Sequence, residues 1–89
     1  MAHADEAALA RLLPLLRQLR EIKGLREMKP GIFYLQGSAF IHFHDDAGAL
    51  VADLKKPRGG FDRYPVDAAP GQRKLLDDAK RRIARNDED

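Results

Sequence analysis

The 89-residue sequence contains no cysteine, no tryptophan and no threonine, and Ser38 is its only serine. Without cysteine, a disulfide framework, a thiolate zinc site and a thiol nucleophile are all excluded. No hydrophobic run approaches the roughly 18 apolar residues that a membrane span needs. The N-terminus also lacks the basic segment followed by an apolar segment of a secretory signal. We therefore expect a cytoplasmic protein without a membrane partner.

The length and composition fit one small domain, spanning residues 1–89. Hydrophobic residues make up 44% of the chain and charged residues 34%. A domain of this size buries only about 60–65% of the surface of its unfolded chain. A partner that covers further apolar surface would therefore add needed stability.

The formal net charge of +2 is distributed unevenly. Residues 30–54 contain three aspartates and no basic residue, which gives −3. Residues 55–85 carry ten basic and four acidic side chains, which gives +6. The middle of the chain is thus acidic and apolar, and the last third is basic.

Apolar residues at spacings of three and four predict an amphipathic helix at each end of the chain. The first covers about residues 5–23, with Asp5 as its N-cap. Pro14 lies inside this pattern and either kinks the helix or starts a second one. The last helix covers about residues 68–85, with Asp67 as a candidate N-cap, and residues 86–89 are expected to fray.

The middle of the chain has the composition of strands, which we place at residues 32–36, 39–44 and 49–54. Gly37 and Ser38 are expected to form a two-residue hairpin loop with glycine first. Residues 25–29 are interpreted as a helical turn or coil, and residues 61–66 as an edge piece. The predicted fold class is α+β, a three- to four-stranded antiparallel meander flanked by an N-terminal and a C-terminal helix.

The predicted hairpin register leaves apolar side chains on both faces of the sheet. It places Phe33, Leu35 and Phe40 on the face opposite the helices, together with two histidines. A solvated face of an antiparallel sheet would be polar throughout. The helix kinked at Pro14, the glycine-rich loop or a second copy of the chain could cover these three residues. Because dimers are the commonest oligomers, we favour the second copy, in a homodimer.

Two histidines and an aspartate form a candidate metal site on the same face. His42 and His44 are two residues apart in a predicted strand, so their side chains point to one side. Asp53 is expected to lie diagonally across from them. Two imidazoles and a carboxylate suit a divalent metal with open positions. The alternatives are a pH-sensitive contact and ordinary packed or solvated residues at a sheet edge.

The basic third of the chain offers a candidate nucleic-acid interface. Clustered basic side chains can neutralise phosphates, and Phe61 and Tyr64 are suitable for stacking on bases. Charge runs on surface helices are also common as simple solvated faces. The basic residues assigned to this interface are Lys55, Lys56, Arg58, Arg63, Arg81, Arg82 and Arg85.

Parts of the chain resemble a group of small bacterial proteins of unassigned function. The resemblance covers about residues 25–67, and the Phe-Ile-His-Phe-His run at 40–44 is its most specific piece. It also includes the segments at 30–34 and 61–66. More distantly, the helix followed by a strand meander and a loop is similar to the YjbR-like double-wing proteins. The resemblance implies a shared hairpin unit and supplies no catalytic residue.

The sequence favours a non-enzymatic, self-associating interaction module with no catalytic residue and no cofactor. A nucleic-acid-binding accessory protein and a small metal-binding protein are the two alternatives. They differ in which residues carry the function, so the positions of those side chains discriminate among the three.

Overall fold

The structure, a computed structural model, describes residues 2–88 and confirms the α+β class with a strand meander between N-terminal and C-terminal helices. No helix in this part of the chain is long and apolar enough to cross a membrane. In chain order the elements are β1 (Ala2–His3), α1 (Glu6–Arg11), α2 (Leu13–Arg20), β2 (Leu25–Lys29), β3 (Ile32–Leu35), β4 (Ser38–Asp46), β5 (Ala49–Lys55), β6 (Phe61–Pro65) and α3 (Ala69–Glu88).

All neighbouring strands of the single sheet are antiparallel, in the order β2-β3-β4-β5-β6. The short β1 pairs with the distal part of β4, with Ala2 opposite Asp45 and His3 opposite His44. The interpretation of residues 25–29 as helical turn or coil is wrong, because they form β2 against β3. The edge piece predicted at 61–66 is the regular strand β6.

Pro14 divides the N-terminal helical region in two. It stands in the first turn of α2, where a proline has no hydrogen bond to lose. Asp5 caps α1 as predicted, since its Oδ1 accepts a hydrogen bond from the Ala8 amide at 2.9 Å. Of the two alternatives at Pro14 in the helical region predicted over residues 5–23, the structure has the second, in which Pro14 starts a new helix.

The N-cap predicted for the last helix is corrected by one position. The Ala68 carbonyl accepts the first helical bond, from the Gln72 amide at 3.3 Å. The Asp67 carboxylate instead accepts a hydrogen bond from the Leu50 amide at 2.9 Å, which ties the start of α3 to β5. The helix continues to Glu88, beyond the predicted end at residue 85, and Asp89 lies outside the described residues.

Both hairpin loops of the central meander have two residues in left-handed backbone conformations. Gln36 and Gly37 have φ of 51° and 83°, and Ala47 and Gly48 have φ of 53° and 90°. Two consecutive positive φ values are typical of the type I′ turn, which suits the strand twist. The loop at 36–37 is one residue earlier than the predicted loop at Gly37 and Ser38, so the predicted register is wrong.

A β-bulge at Phe40 decides which aromatic side chains reach the core. Phe33 pairs with Ile41 while Tyr34 pairs with Ala39, which leaves Phe40 as the extra residue on β4. Phe33 is 0% exposed and Phe40 is 6% exposed, both within the core under the helices. Leu35 is partly buried against the same core. The apolar second face predicted from Phe33, Leu35 and Phe40 is therefore absent from the described chain.

The core lies between one face of the sheet and the three helices. Its largest fully buried side chains come from both the helical layer and the sheet, so even a chain of this size encloses a core of its own. They are Leu12, Leu15 and Leu19 from the N-terminal helical region, Phe33, Ile41, Phe43, Leu50 and Leu54 from the strands, and Val66 and Leu75 near and within α3.

We expect the hydrogen bond between Tyr64 and Asp78 to make a pH-dependent contribution to the stability of the fold. The buried Tyr64 hydroxyl donates to Asp78 Oδ2 at 2.7 Å. Burial and this bond raise the pKa of Tyr64 to about 12, and the same bond is the main cause that lowers the pKa of Asp78. We expect Tyr64→Phe to lower the free energy of unfolding at pH 7 by about 1 kcal/mol.

The sign of the pH effect follows from the lowered pKa of Asp78. The ionised Asp78 carboxylate contributes fully to the free energy of unfolding above its unfolded-state pKa of about 3.9. This contribution is lost as the pH falls through the lower folded-state pKa. Urea unfolding of wild type and Tyr64→Phe should therefore show a difference that narrows below about pH 4. Tyr34→Phe, which removes the hydroxyl of a half-buried tyrosine on β3, is the matched control. A difference independent of pH would contradict the role assigned to the ionised carboxylate.

Gly71 allows α3 to pack closely on the end of β6. A Cβ at this position would collide with the Pro65 carbonyl oxygen and lie 2.9 Å from its carbonyl carbon. Glycine to alanine usually stabilises a helix by about 0.5–1 kcal/mol, but here overpacking should destabilise the protein by about 2 kcal/mol. Thermal or urea unfolding of Gly71→Ala tests this, with the exposed Arg73→Ala as control. A Gly71→Ala protein as stable as wild type would contradict the packing argument.

Candidate metal centre

The register of three adjacent strands assembles a polar cluster on the sheet face opposite the core. On β5, Asp53 pairs with His42 of β4 on one side and with Arg63 of β6 on the other. His44 follows His42 by two residues, so its side chain emerges on the same face. The cluster thus depends on backbone pairing of the central strands, and no loop residue contributes to it.

The three residues predicted as metal ligands lie in direct contact. His42 Nδ1 and His44 Nε2 are 2.6 Å apart. Asp53 Oδ2 lies 3.1 Å from His44 Nε2 and 3.8 Å from His42 Nδ1. The two imidazole rings are nearly perpendicular, at 85°, with centroids 4.7 Å apart. Two ring nitrogens and a carboxylate oxygen therefore converge on one small region.

The spacing of these three atoms suits one shared ion. The circle through His42 Nδ1, His44 Nε2 and Asp53 Oδ2 has a radius of about 1.9 Å, calculated from their three separations. Zinc bonds to imidazole nitrogen and carboxylate oxygen at about 2.0–2.2 Å. A point slightly outside the plane of the three atoms is thus at bonding distance from all of them. Among the side chains that the structure describes, this is the one group of three or more potential ligands with metal-ligand spacing.

Asp53 carries the negative charge of the cluster and is buried. It is 8% exposed, and it is the one charged residue among the buried residues of the described chain. Arg63 pairs with it through two contacts, Nε to Oδ1 at 3.0 Å and Nη2 to Oδ2 at 3.3 Å. Such a bidentate contact fixes the orientation of the carboxylate. Burying a charge is costly unless it is paired, so Arg63 makes the position of Asp53 tenable.

His42 is covered on one side by an aromatic ring. The Phe61 ring lies 4.8 Å from the His42 ring, centroid to centroid, at an angle of 60°. Burial is the main cause that lowers the pKa of His42, and the nearby His44 acts in the same direction. The fold therefore favours a neutral imidazole, which is the form that binds metals.

A third histidine lies beside the cluster but outside the contacting trio. His3 pairs with His44 in the β1–β4 register, which places both side chains on one face of the sheet. His3 Nε2 is 3.2 Å from the Pro30 carbonyl oxygen and is thus engaged with the turn before β3. The structure therefore separates His3 from the three atoms that converge.

The basic residues assigned to a nucleic-acid interface are distributed over several places. Arg63 belongs to the Asp53 cluster, and Arg81 forms an ion pair with Asp78 on α3 at 3.0 Å. Arg58 is exposed in the loop between β5 and β6. The other four, Lys55, Lys56, Arg82 and Arg85, line one pocket at the end of the sheet.

Two contacts of the cluster were missed by the sequence interpretation, those of Arg63 and Phe61. Both were assigned to nucleic-acid contacts, whereas Arg63 holds Asp53 and Phe61 packs on His42. The available signal was the short glycine-containing segment between residues 55 and 61, which suits a return of the chain beside β5. When the chain returns and pairs with β5 as β6, residue 63 lies opposite residue 53.

Comparisons of the chain with protein-family models, with curated proteins and with solved structures find no match. The resemblance to small bacterial proteins and to double-wing proteins therefore stays a prediction.

Proposed function

We propose that the protein binds a divalent transition-metal ion of the zinc type through His42 Nδ1, His44 Nε2 and Asp53 Oδ2. The observation that carries the proposal is the spacing of these atoms, which places one point at bonding distance from all three. Imidazole nitrogens with one carboxylate oxygen suit zinc and its neighbours better than calcium or magnesium, which prefer oxygen ligands alone.

The surroundings of the three atoms support a metal site. Ligating carboxylates are usually held by further hydrogen bonds, and Arg63 holds Asp53 in this way. The Arg63 charge also opposes a cation electrostatically, so we expect moderate affinity. With three protein ligands, at least one coordination position remains for water or another molecule.

Access from solvent also favours a functional site. The side chains of His42, His44 and Asp53 are 21%, 19% and 11% exposed. An ion can therefore reach them without unfolding of the sheet, and a bound ion would keep a solvent-facing side. This is the arrangement of a site that exchanges its metal or acts on a further ligand, in contrast to an enclosed structural zinc site.

The self-association expected from the sequence has less support than metal binding. Its reason was an uncovered apolar face, and Phe33 and Phe40 are buried within the chain's own core. A homodimer remains a prediction whose contact surface would lie elsewhere. Binding of nucleic acid along a continuous basic surface is likewise less supported, because Arg63 and Arg81 are engaged with carboxylates.

Zinc titration followed by calorimetry tests the proposal. We expect one zinc ion per chain for the wild-type protein, and at least tenfold weaker binding for His44→Ala and for Asp53→Asn. The matched control is His3→Gln, which changes the neighbouring histidine outside the converging trio and should leave the affinity unchanged. Equal isotherms for wild type and His44→Ala would contradict the proposed site, as would loss of binding in His3→Gln alone.

A second measurement separates binding from a fault in folding. A ligand that binds only the folded state stabilises it by about 2.7 kcal/mol at a free concentration one hundred times Kd. Zinc should therefore raise the unfolding temperature of wild type and of His3→Gln, and raise that of His44→Ala clearly less. His44→Ala should keep the far-ultraviolet circular dichroism of the wild-type protein without zinc.

A further inference from the structure

A pocket of about 280 Å³ opens at the end of the sheet near the hairpin loop at residues 36–37. One wall comes from β3 and β4, another from the segment at residues 55–57, and the third from the last turns of α3. The lining residues are Leu35, Gln36, Ser38, Phe40, Lys55, Lys56, Pro57, Arg82 and Arg85. It is built from different side chains than the His42, His44 and Asp53 cluster.

Positive charge dominates this pocket. Four of its nine lining residues are basic, and no lining residue is acidic. Among the described side chains, Asp62 pairs with two of these basic residues, with Arg82 at 2.6 Å and with Lys56 at 3.6 Å. Arg85 takes part in no ion pair with the side chains that the structure describes. One carboxylate therefore leaves most of the positive charge uncompensated.

Two of the cationic groups are held in place before any ligand binds. Lys55 Nζ donates to Ser38 Oγ at 2.7 Å, across the sheet end. Arg82 Nη1 donates to the Lys55 carbonyl oxygen at 2.9 Å, and Nη2 donates to Asp62. A site whose groups are already oriented loses less entropy on binding than one formed by free side chains.

The pocket also has an apolar wall, formed by Leu35, Phe40 and Pro57. Its volume of about 280 Å³ is just below the range for small-molecule sites, about 300–1,000 Å³, so it suits a small ligand. A charged group beside a small apolar body fits this combination. A nucleic-acid duplex presents its phosphates along a convex rod, which suits a broad basic surface better than a small concave pocket.

We propose that this pocket binds the phosphate group of a small organic molecule. A phosphate ester carries a charge of about −1.5 to −2 at neutral pH and three acceptor oxygens, which match several clustered cations. A carboxylate carries only about half to two-thirds of that charge and has fewer acceptor oxygens. The organic part of the ligand rests against Leu35, Phe40 and Pro57.

Phenyl phosphate is the probe, since it combines a phosphate ester with a small apolar ring. Binding is measured by calorimetry at constant ionic strength in the presence of a chelator, so that a metal at the His42 cluster does not contribute. We expect phenyl phosphate to bind more tightly than inorganic phosphate, and more tightly than benzoate, which has the ring with a single charge.

Arg85→Gln is the informative variant because Arg85 lines the pocket and has no described ion pair to lose. We expect it to weaken phenyl phosphate binding about tenfold, the effect of one charge-assisted hydrogen bond. Arg58→Gln removes the same charge from the exposed loop outside the pocket and should leave binding unchanged, as should His44→Ala.

Three results would overturn the proposal. The first is absence of phenyl phosphate binding by a folded wild-type protein. The second is an equal loss in Arg58→Gln and Arg85→Gln, which would mean that only the general charge of the chain matters. The third is tighter binding of a short DNA duplex than of phenyl phosphate, with affinity falling steeply as salt rises. That last result would assign Lys55, Lys56, Arg82 and Arg85 to a nucleic-acid surface.

Discussion

The register of β4 against its two neighbours is the constraint on which the rest of the structure depends. β4 lies in the middle of the sheet and pairs with β3, β5 and the short β1. The extra residue at Phe40 reverses the side-chain alternation between the two ends of this strand. As a result Phe33, Phe40 and Ile41 all reach the core, while His42 and His44 emerge on the opposite face. One bulge thus closes the hydrophobic core and exposes the histidines.

The burial of Asp53 is the second consequence of this pairing. Since β5 has a neighbour on each side, a carboxylate in its middle is shielded from water by side chains of β4 and β6. Its charge is tolerated because Arg63 contacts it from one side and two imidazoles from the other. The carboxylate oxygen that the strand pairing brings beside two ring nitrogens is also a proposed metal ligand, which connects the structural role of the pair to the proposed metal binding.

The sequence was sufficient for the features that depend on local pattern. The α+β class, the N-cap at Asp5 and the shared face of His42 and His44 follow from residue type and spacing alone. Asp53 was also expected on this face, diagonally across from the histidines, whereas it lies directly opposite His42 because the register between β4 and β5 differs from the predicted one.

The predictions that were wrong concern features decided by contacts between distant parts of the chain. The spacing around Gly37 permits a loop at 36–37 or at 37–38, and only packing of the core decides between them. Residues 25–29 are mostly charged and lack a strand pattern, yet they form β2 because β3 offers them an open edge. Self-association through Phe33, Leu35 and Phe40 rested on the wrong register, and the bulge removed its basis.

The two proposed sites share a boundary in the segment that joins β5 to β6. Lys55 ends β5 and lines the basic pocket, together with Lys56 and Pro57. Phe61 starts β6 directly opposite Lys55 and packs its ring on His42. A ligand that orders residues 55–57 would therefore also restrict the position of Phe61 and, through it, of the His42 ring. Coupling between two binding sites is reciprocal, so a pocket ligand that changed the affinity for the metal ion by some factor would have its own affinity changed by the metal ion by the same factor.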